Sequence, residues 1–125
     1  MNTIIIAAIH ATLSFTSIER ATCYNAEPSQ CQGNPLITAD GSHIDTVALR
    51  HGSLRWVALS RDQLTRWGGT FNYGDTIRVF SLSAPELCGK WVVRDCMNAR
   101  YKNSVDFLTD RSRNFGVVRD VKILK

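Results

Sequence analysis

From residue 21 onward the chain never sustains a helical period; it falls instead into short β-prone runs parted by turn formers. The runs are residues 21–26, 55–59 (RWVAL), 75–81 (DTIRVFS), 90–95 (KWVVRD) and 117–124. In DTIRVFS, Ile77 and Val79 alternate with Thr76, Arg78 and Phe80, the period of a half-buried strand. Residues 27–35 are rich in turn formers, and Thr38-Ala39-Asp40-Gly41 reads as a tight turn. Ser60-Arg61-Asp62-Gln63 has the S-x-x-Q form of a capping box and predicts a helix of one or two turns, ending before Gly68-Gly69. Many short strands and little helix point to a small all-β barrel or sandwich. A chain of 125 residues suits a single domain, expected over residues 21–125. Its 44% hydrophobic content and sparse Gly and Pro exclude disordered, collagen-like and coiled-coil classes.

The first residues, MNTIIIAAIHATLSFTS, hold an apolar run over residues 4–9 followed by small and hydroxyl side chains. Residues 1–18 are therefore expected to be an export leader, the alternative being an amphipathic first strand or helix. The run falls short of a membrane span. Four cysteines, Cys23, Cys31, Cys88 and Cys96, are an even number in a small domain. Seven residues intervene in each sequential pair, a poor spacing for zinc, so disulfides and a periplasmic or secreted location are expected and no metal or other cofactor is. Eight strand steps would hold Cys88 and Cys96 about 26 Å apart, far beyond the reach of a bridge, so pairing across segments, for instance Cys31 with Cys96, is freer.

Two aspartates stand out. Asp95 ends the run KWVVRD, and Asp106 lies between Val105 and Phe107. A carboxyl beside apolar residues at a strand end is partly desolvated, which raises its pKa and suits it to donate a proton. The loop between them, CMNARYKNSV, offers Asn98, Arg100, Tyr101, Lys102 and Asn103 to sugar hydroxyls or anions. The plain alternative is a pair of solvated or turn-capping carboxylates.

The ordered set T-A-x-G-x-x-x-D (Thr38, Ala39, Gly41, Asp45), G-D-T-I-R-V (residues 74–79), the strand into Asp95, and V-D-F-L with Asp106 resembles rare-lipoprotein-A-like domains. It is similar as well to the three-aspartate domain of stationary-phase survival proteins and to the C-terminal part of membrane-bound lytic transglycosylase A. In those families an aspartate in a D-x-G-G or N-D-R-G turn is followed eleven positions later by one opening a D-[IVL] segment, as Asp106 follows Asp95 here. Ala99, Asn103 and Phe115-Gly116 fall where the three-aspartate pattern has A, N and a closing F-G. Two features depart from it. Ser60 stands where a further aspartate is expected, and Met97 and Asn98 replace the glycines.

The resemblance implies a six-stranded double-psi β-barrel with one or two short helices. It also implies lytic cleavage of the β-1,4 bond between N-acetylmuramic acid and N-acetylglucosamine in peptidoglycan, with Asp106 as acid/base and Asp95 in support. Tyr24 and Thr38 match groove positions of the pattern, and Asn98, Tyr101, Lys102 and Asn103 join them as candidate substrate contacts. The rival reading is a non-catalytic wall-binding or wall-loosening module of the expansin and barwin kind.

The expected partner is the glycan strand, met by a monomer, with peripheral envelope contact and no nucleic acid. Formal charge is +4, which suits an anionic polymer without choosing one. The basic residues Arg61, Arg66, Arg100, Lys102, Arg111 and Arg113 are scattered over loops. Several flank the two aspartates, where they are candidates to hold muropeptide carboxylates. Trp56 and Trp91 read as core, and Trp67 as the exposed tryptophan.

Overall fold

The computed structural model describes residues 15–26 and 34–125. Seven strands make one nearly closed barrel: β1 (Thr16–Ile18), β2 (Arg20–Tyr24), β3 (Trp56–Leu59), β4 (Thr76–Phe80), β5 (Gly89–Cys96), β6 (Ser104–Leu108) and β7 (Val121–Leu124). Their order around the sheet is β1-β7-β4-β5-β3-β6-β2. Only Glu19 separates β1 from β2, and its N–H bonds the Asn103 carbonyl at 3.0 Å. The two strands therefore act as one bent strand whose halves face β7 and β6, which closes the ring and reconciles seven strands with the six expected. Two pairs, β2 with β6 and β3 with β5, run parallel in an otherwise antiparallel barrel. Parallel partners cannot be joined by a tight turn, so long connections cross the barrel ends and supply the loops of the site. The last three residues of the expected leader form β1, with Ile18 in the core. The rest of that segment, and Cys31, lie outside the described residues.

The barrel interior is apolar. Val57, Leu59, Ile77, Val79, Val93, Val105, Phe107, Val121 and Ile123 are almost wholly buried there. Phe107 meets the rings of Trp91 and Phe115 edge-on, at 4.8 and 5.9 Å. A smaller apolar cluster (Tyr24, Ile44, Leu49, Ala58, Met97 and Leu108) covers the outer face of β2, β6 and β3. Leu49 reaches it from the one α-helix, α1 (Thr46–His51), which the sequence reading did not anticipate. The Asp45 carboxylate caps its first turn by accepting from the N–H groups of Val47 and Ala48. Gly52 ends it at φ 78°, where a Cβ would strike the Arg113 guanidinium.

The predicted capping-box helix is instead two 3-10 turns, Arg61–Gln63 and Thr65–Trp67, hinged at Leu64. Gln63 is buried, and its amide bonds the Ser60 hydroxyl and the Ser104 carbonyl rather than a helix N-terminus. Trp91 is core and Trp67 exposed, as the sequence suggested, whereas Trp56, read as core, is half-buried and packs against the smaller outer cluster.

The expected disulfides do not form among the described residues, where Cys23, Cys88 and Cys96 are free thiols. Cys88 and Cys96 lie at opposite ends of β5. Cys23, on β2, is three strand positions from β5, about 14 Å along the sheet. A bridge spans about 7 Å at most.

Candidate functional site

The chemistry of the outer face begins with an irregularity in β5. Val93 pairs with Val57, but Ala58 pairs with Asp95, so Arg94 is an extra residue, a β-bulge. Trp91 and Val93 point into the core; after the bulge Asp95 points outward and Cys96 turns back against the core. Regular alternation would have aimed Asp95 inward. On the other side of β3, Ala58 also pairs with Asp106 of β6. Asp95 and Asp106 thus flank one alanine on one face, two strand spacings or about 10 Å apart at the backbone. The alanine methyl leaves the space between them open.

That space is part of a groove of about 780 Å³ lined by Tyr24, Thr38, Ala39, Ile44, Ala58, Arg61, Asp95, Met97, Asn98, Arg100, Tyr101 and Asp106, among others. The turn carrying Thr38 is bolted to the bulge. Asp40 accepts from the Arg94 guanidinium at 3.2 Å and its N–H bonds the Arg94 carbonyl, while the Ala39 N–H donates to Asp95 Oδ1 at 3.0 Å. The T-A-x-G motif and the first aspartate, 56 residues apart, therefore form one unit.

Asp106 is mostly buried. Loss of water pushes its carboxyl up to about 6; the Thr22 hydroxyl, donating at 2.9 Å, opposes this, Asp95 adds to it, and Arg20 pulls back. Asp95 is also held above the ordinary range, by burial first. It stays so although the N–H groups of Ala39 and Cys96 and the Tyr24 hydroxyl, at 3.0, 2.9 and 3.3 Å, favour its charged form. The arrangement provides a proton-holding carboxyl open to a groove, with a second, well-anchored carboxyl beside it.

Of the sequence-predicted residues, Asp95, Asp106, Tyr24, Thr38, Asn98 and Tyr101 share the groove. Tyr24 is nearly buried and reaches Asp95 with its hydroxyl. Thr38 spends its hydroxyl on Asp40, holding the turn. Asn98 accepts from the Arg100 N–H, and the Tyr101 hydroxyl from the Arg100 guanidinium at 2.8 Å. Lys102 and Asn103 do not line the groove. Asn103 turns the chain at φ 43°, its N–H on Asp62 and its amide on the Ser17 carbonyl; Lys102 is exposed. Ser60, at the position of the missing aspartate, is fully buried and accepts from the Ser104 N–H at 2.9 Å. Thr22, Ala58 and the backbone of Ala39 were missed. The i, i+2 spacing of Thr22 and Tyr24 in a strand is the signal that would have found the first. Among the described residues no three His, Cys, Asp or Glu side chains gather as a metal site.

No protein-family model matches the chain, and no curated protein matches it. Among solved structures the Streptomyces papain inhibitor is similar, with a TM-score of 0.54 and 18% sequence identity over 89% of this chain and 93% of that one. The chain folds as a double-psi-like β-barrel. At that identity the likeness concerns the fold alone.

Proposed function

We propose that the protein cleaves the β-1,4 bond between N-acetylmuramic acid and N-acetylglucosamine in peptidoglycan as a lytic transglycosylase, outside the cytoplasmic membrane. One observation carries the reading: Asp106, raised to about 6 by burial, lines a groove of about 780 Å³ together with Asp95. The motif resemblance to rare-lipoprotein-A-like and three-aspartate domains supports the substrate. Protonated Asp106 donates to the glycosidic oxygen as the bond to the anomeric carbon breaks. The resulting carboxylate then takes the proton of the sugar's own 6-hydroxyl while that oxygen attacks the anomeric carbon, leaving a 1,6-anhydro end. No water has to be placed, so one carboxyl serves both steps. Asp95, anchored by three donors, keeps the proton affinity of Asp106 high and faces the positive charge developing on the sugar.

The test is digestion of purified sacculi with mass spectrometry of the soluble products. Wild type is expected to release anhydro-muropeptides and Asp106→Asn to release about 10³-fold less; their absence from both would refute the reading. A second reading, a non-catalytic wall-binding module, is favoured by Ser60, whose buried hydroxyl replaces a carboxylate of the family pattern. It predicts co-sedimentation with sacculi, no released fragments, and binding indifferent to Asp106→Asn.

A further inference from the structure

Two guanidinium groups of the groove have unspent charge. Arg61 and Arg100 both line it, and neither forms an ion pair among the described residues, where the pairs are Arg94 with Asp40 and Lys125 with Asp75. Arg61 leans over the Trp67 ring at 5.1 Å, a contact that orients the fork without neutralising it, and its buried Nε has no hydrogen-bond partner. Arg100 is steadied by the Tyr101 hydroxyl and ring, at 2.8 and 4.8 Å. The cation that bears on Asp106 is Arg20, so the charges of Arg61 and Arg100 are not consumed by the groove's own carboxylates. A buried donor without an acceptor costs free energy, and a planar fork matches a carboxylate edge to edge.

We infer that Arg61 and Arg100 form an anion subsite that makes the groove select acidic glycans, gripping a carboxylate carried by the sugar itself. The inference rests on the glycan reading of the groove but concerns binding, not cleavage. Uncharged chitin-type oligosaccharides, which share the backbone linkage, leave both forks unpaired and bind weakly. On N-acetylmuramic acid that carboxylate is the lactyl group, free only where the stem peptide has been removed, so the subsite favours peptide-stripped stretches of the strand; the two arginines line the same groove as the carboxyls that would flank the scissile bond.

The experiment is calorimetric titration of the full-length Asp106→Asn protein, which leaves the probe intact. Three probes are compared: a peptide-free tetrasaccharide of alternating N-acetylglucosamine and N-acetylmuramic acid, the same compound with its carboxyls reduced to alcohols, and chitotetraose. The acidic tetrasaccharide is expected to bind about tenfold or more tighter than either neutral probe, with a preference that shrinks as salt rises. Adding Arg61→Gln or Arg100→Gln should each remove most of the preference while neutral binding stays level. Arg61→Lys, which keeps charge but loses the fork, should retain part of it, and thermal melts verify that every variant is folded. Equal affinity for acidic and neutral probes, no binding of the acidic probe, or a preference untouched by both substitutions would overturn the inference. Charge-selective binding without anhydro products from sacculi would instead overturn the enzymatic reading and leave the subsite standing.

Discussion

Asp106 and Asp120 are both single carboxylates of the same barrel, and their surroundings drive them in opposite directions. Asp120, just before β7, is fully exposed and accepts from the hydroxyls of Ser81 and Ser83 and from the N–H groups of Leu82 and Ser83. Those donors, the Ser83 hydroxyl foremost, bring it down to about 2. Asp106 has one hydroxyl donor and little water, and it rises to about 6. Asp95 lies between the two cases: with three donors it is still raised, because burial outweighs them. Donor count decides the sign only where water remains, and a carboxyl whose proton affinity is raised marks where the fold gave up solvation without replacing it.

The widest separation between the two aspartates should be in activity. Asp106→Asn is expected to slow release of anhydro products by about 10³-fold, the scale of a lost acid/base group, while Asp120→Asn leaves the rate unchanged. The wild-type rate should fall above pH 6 as Asp106 loses its proton; a flat profile from pH 5 to 8 would separate Asp106 from the chemistry.

Stability comes next. The folded pKa of Asp106 exceeds its unfolded value of 3.8, so the native state binds the extra proton between roughly pH 4 and 6 and stability declines as pH rises through that window. The decline is on the order of 3 kcal/mol and complete near pH 7, and Asp106→Asn should flatten it in urea melts at pH 4, 5.5 and 7. Asp120 has the opposite sign: its contribution is full above pH 4 and is lost as pH falls toward 2.

A smaller effect tests Asp95. Tyr24→Phe deletes one donor to the charged form, so the Asp95 carboxyl should titrate higher by NMR, with a stability loss of about 1 kcal/mol. Smallest of all, Asp120→Ala should lower the melting temperature slightly at pH 7 and by much less at pH 2, where about half of the carboxylate is already protonated.

The strands were the most legible part of the chain. Residues 75–81 and 90–95 read as strands and form β4 and β5 within a residue or two, because alternation and β-branching are local signals. The helix over Thr46–His51 was overlooked although Asp45 and Gly52, its caps, bracket it in the sequence; six residues carry too little periodicity to announce themselves. Ser60-Arg61-Asp62-Gln63 misled in the other direction. The capping-box pattern is satisfied by bonds to Ser104 that only the tertiary fold supplies. In the site, the pairing of Asp95 with Asp106 came from spacing and resemblance. Their common neighbour Ala58 and the exclusion of Lys102 and Asn103 depend on register and on a turn, which no local pattern encodes.

The supernumerary residue of β5 is also the one the strand could lose without turning its neighbours over. Excising Arg94 would restore plain alternation, leaving Asp95 opposite Ala58 on the outer face and Cys96 against the core. What would go is the clasp: Asp40 would lose both the guanidinium and the carbonyl it bonds, so the extra residue serves the turn it holds.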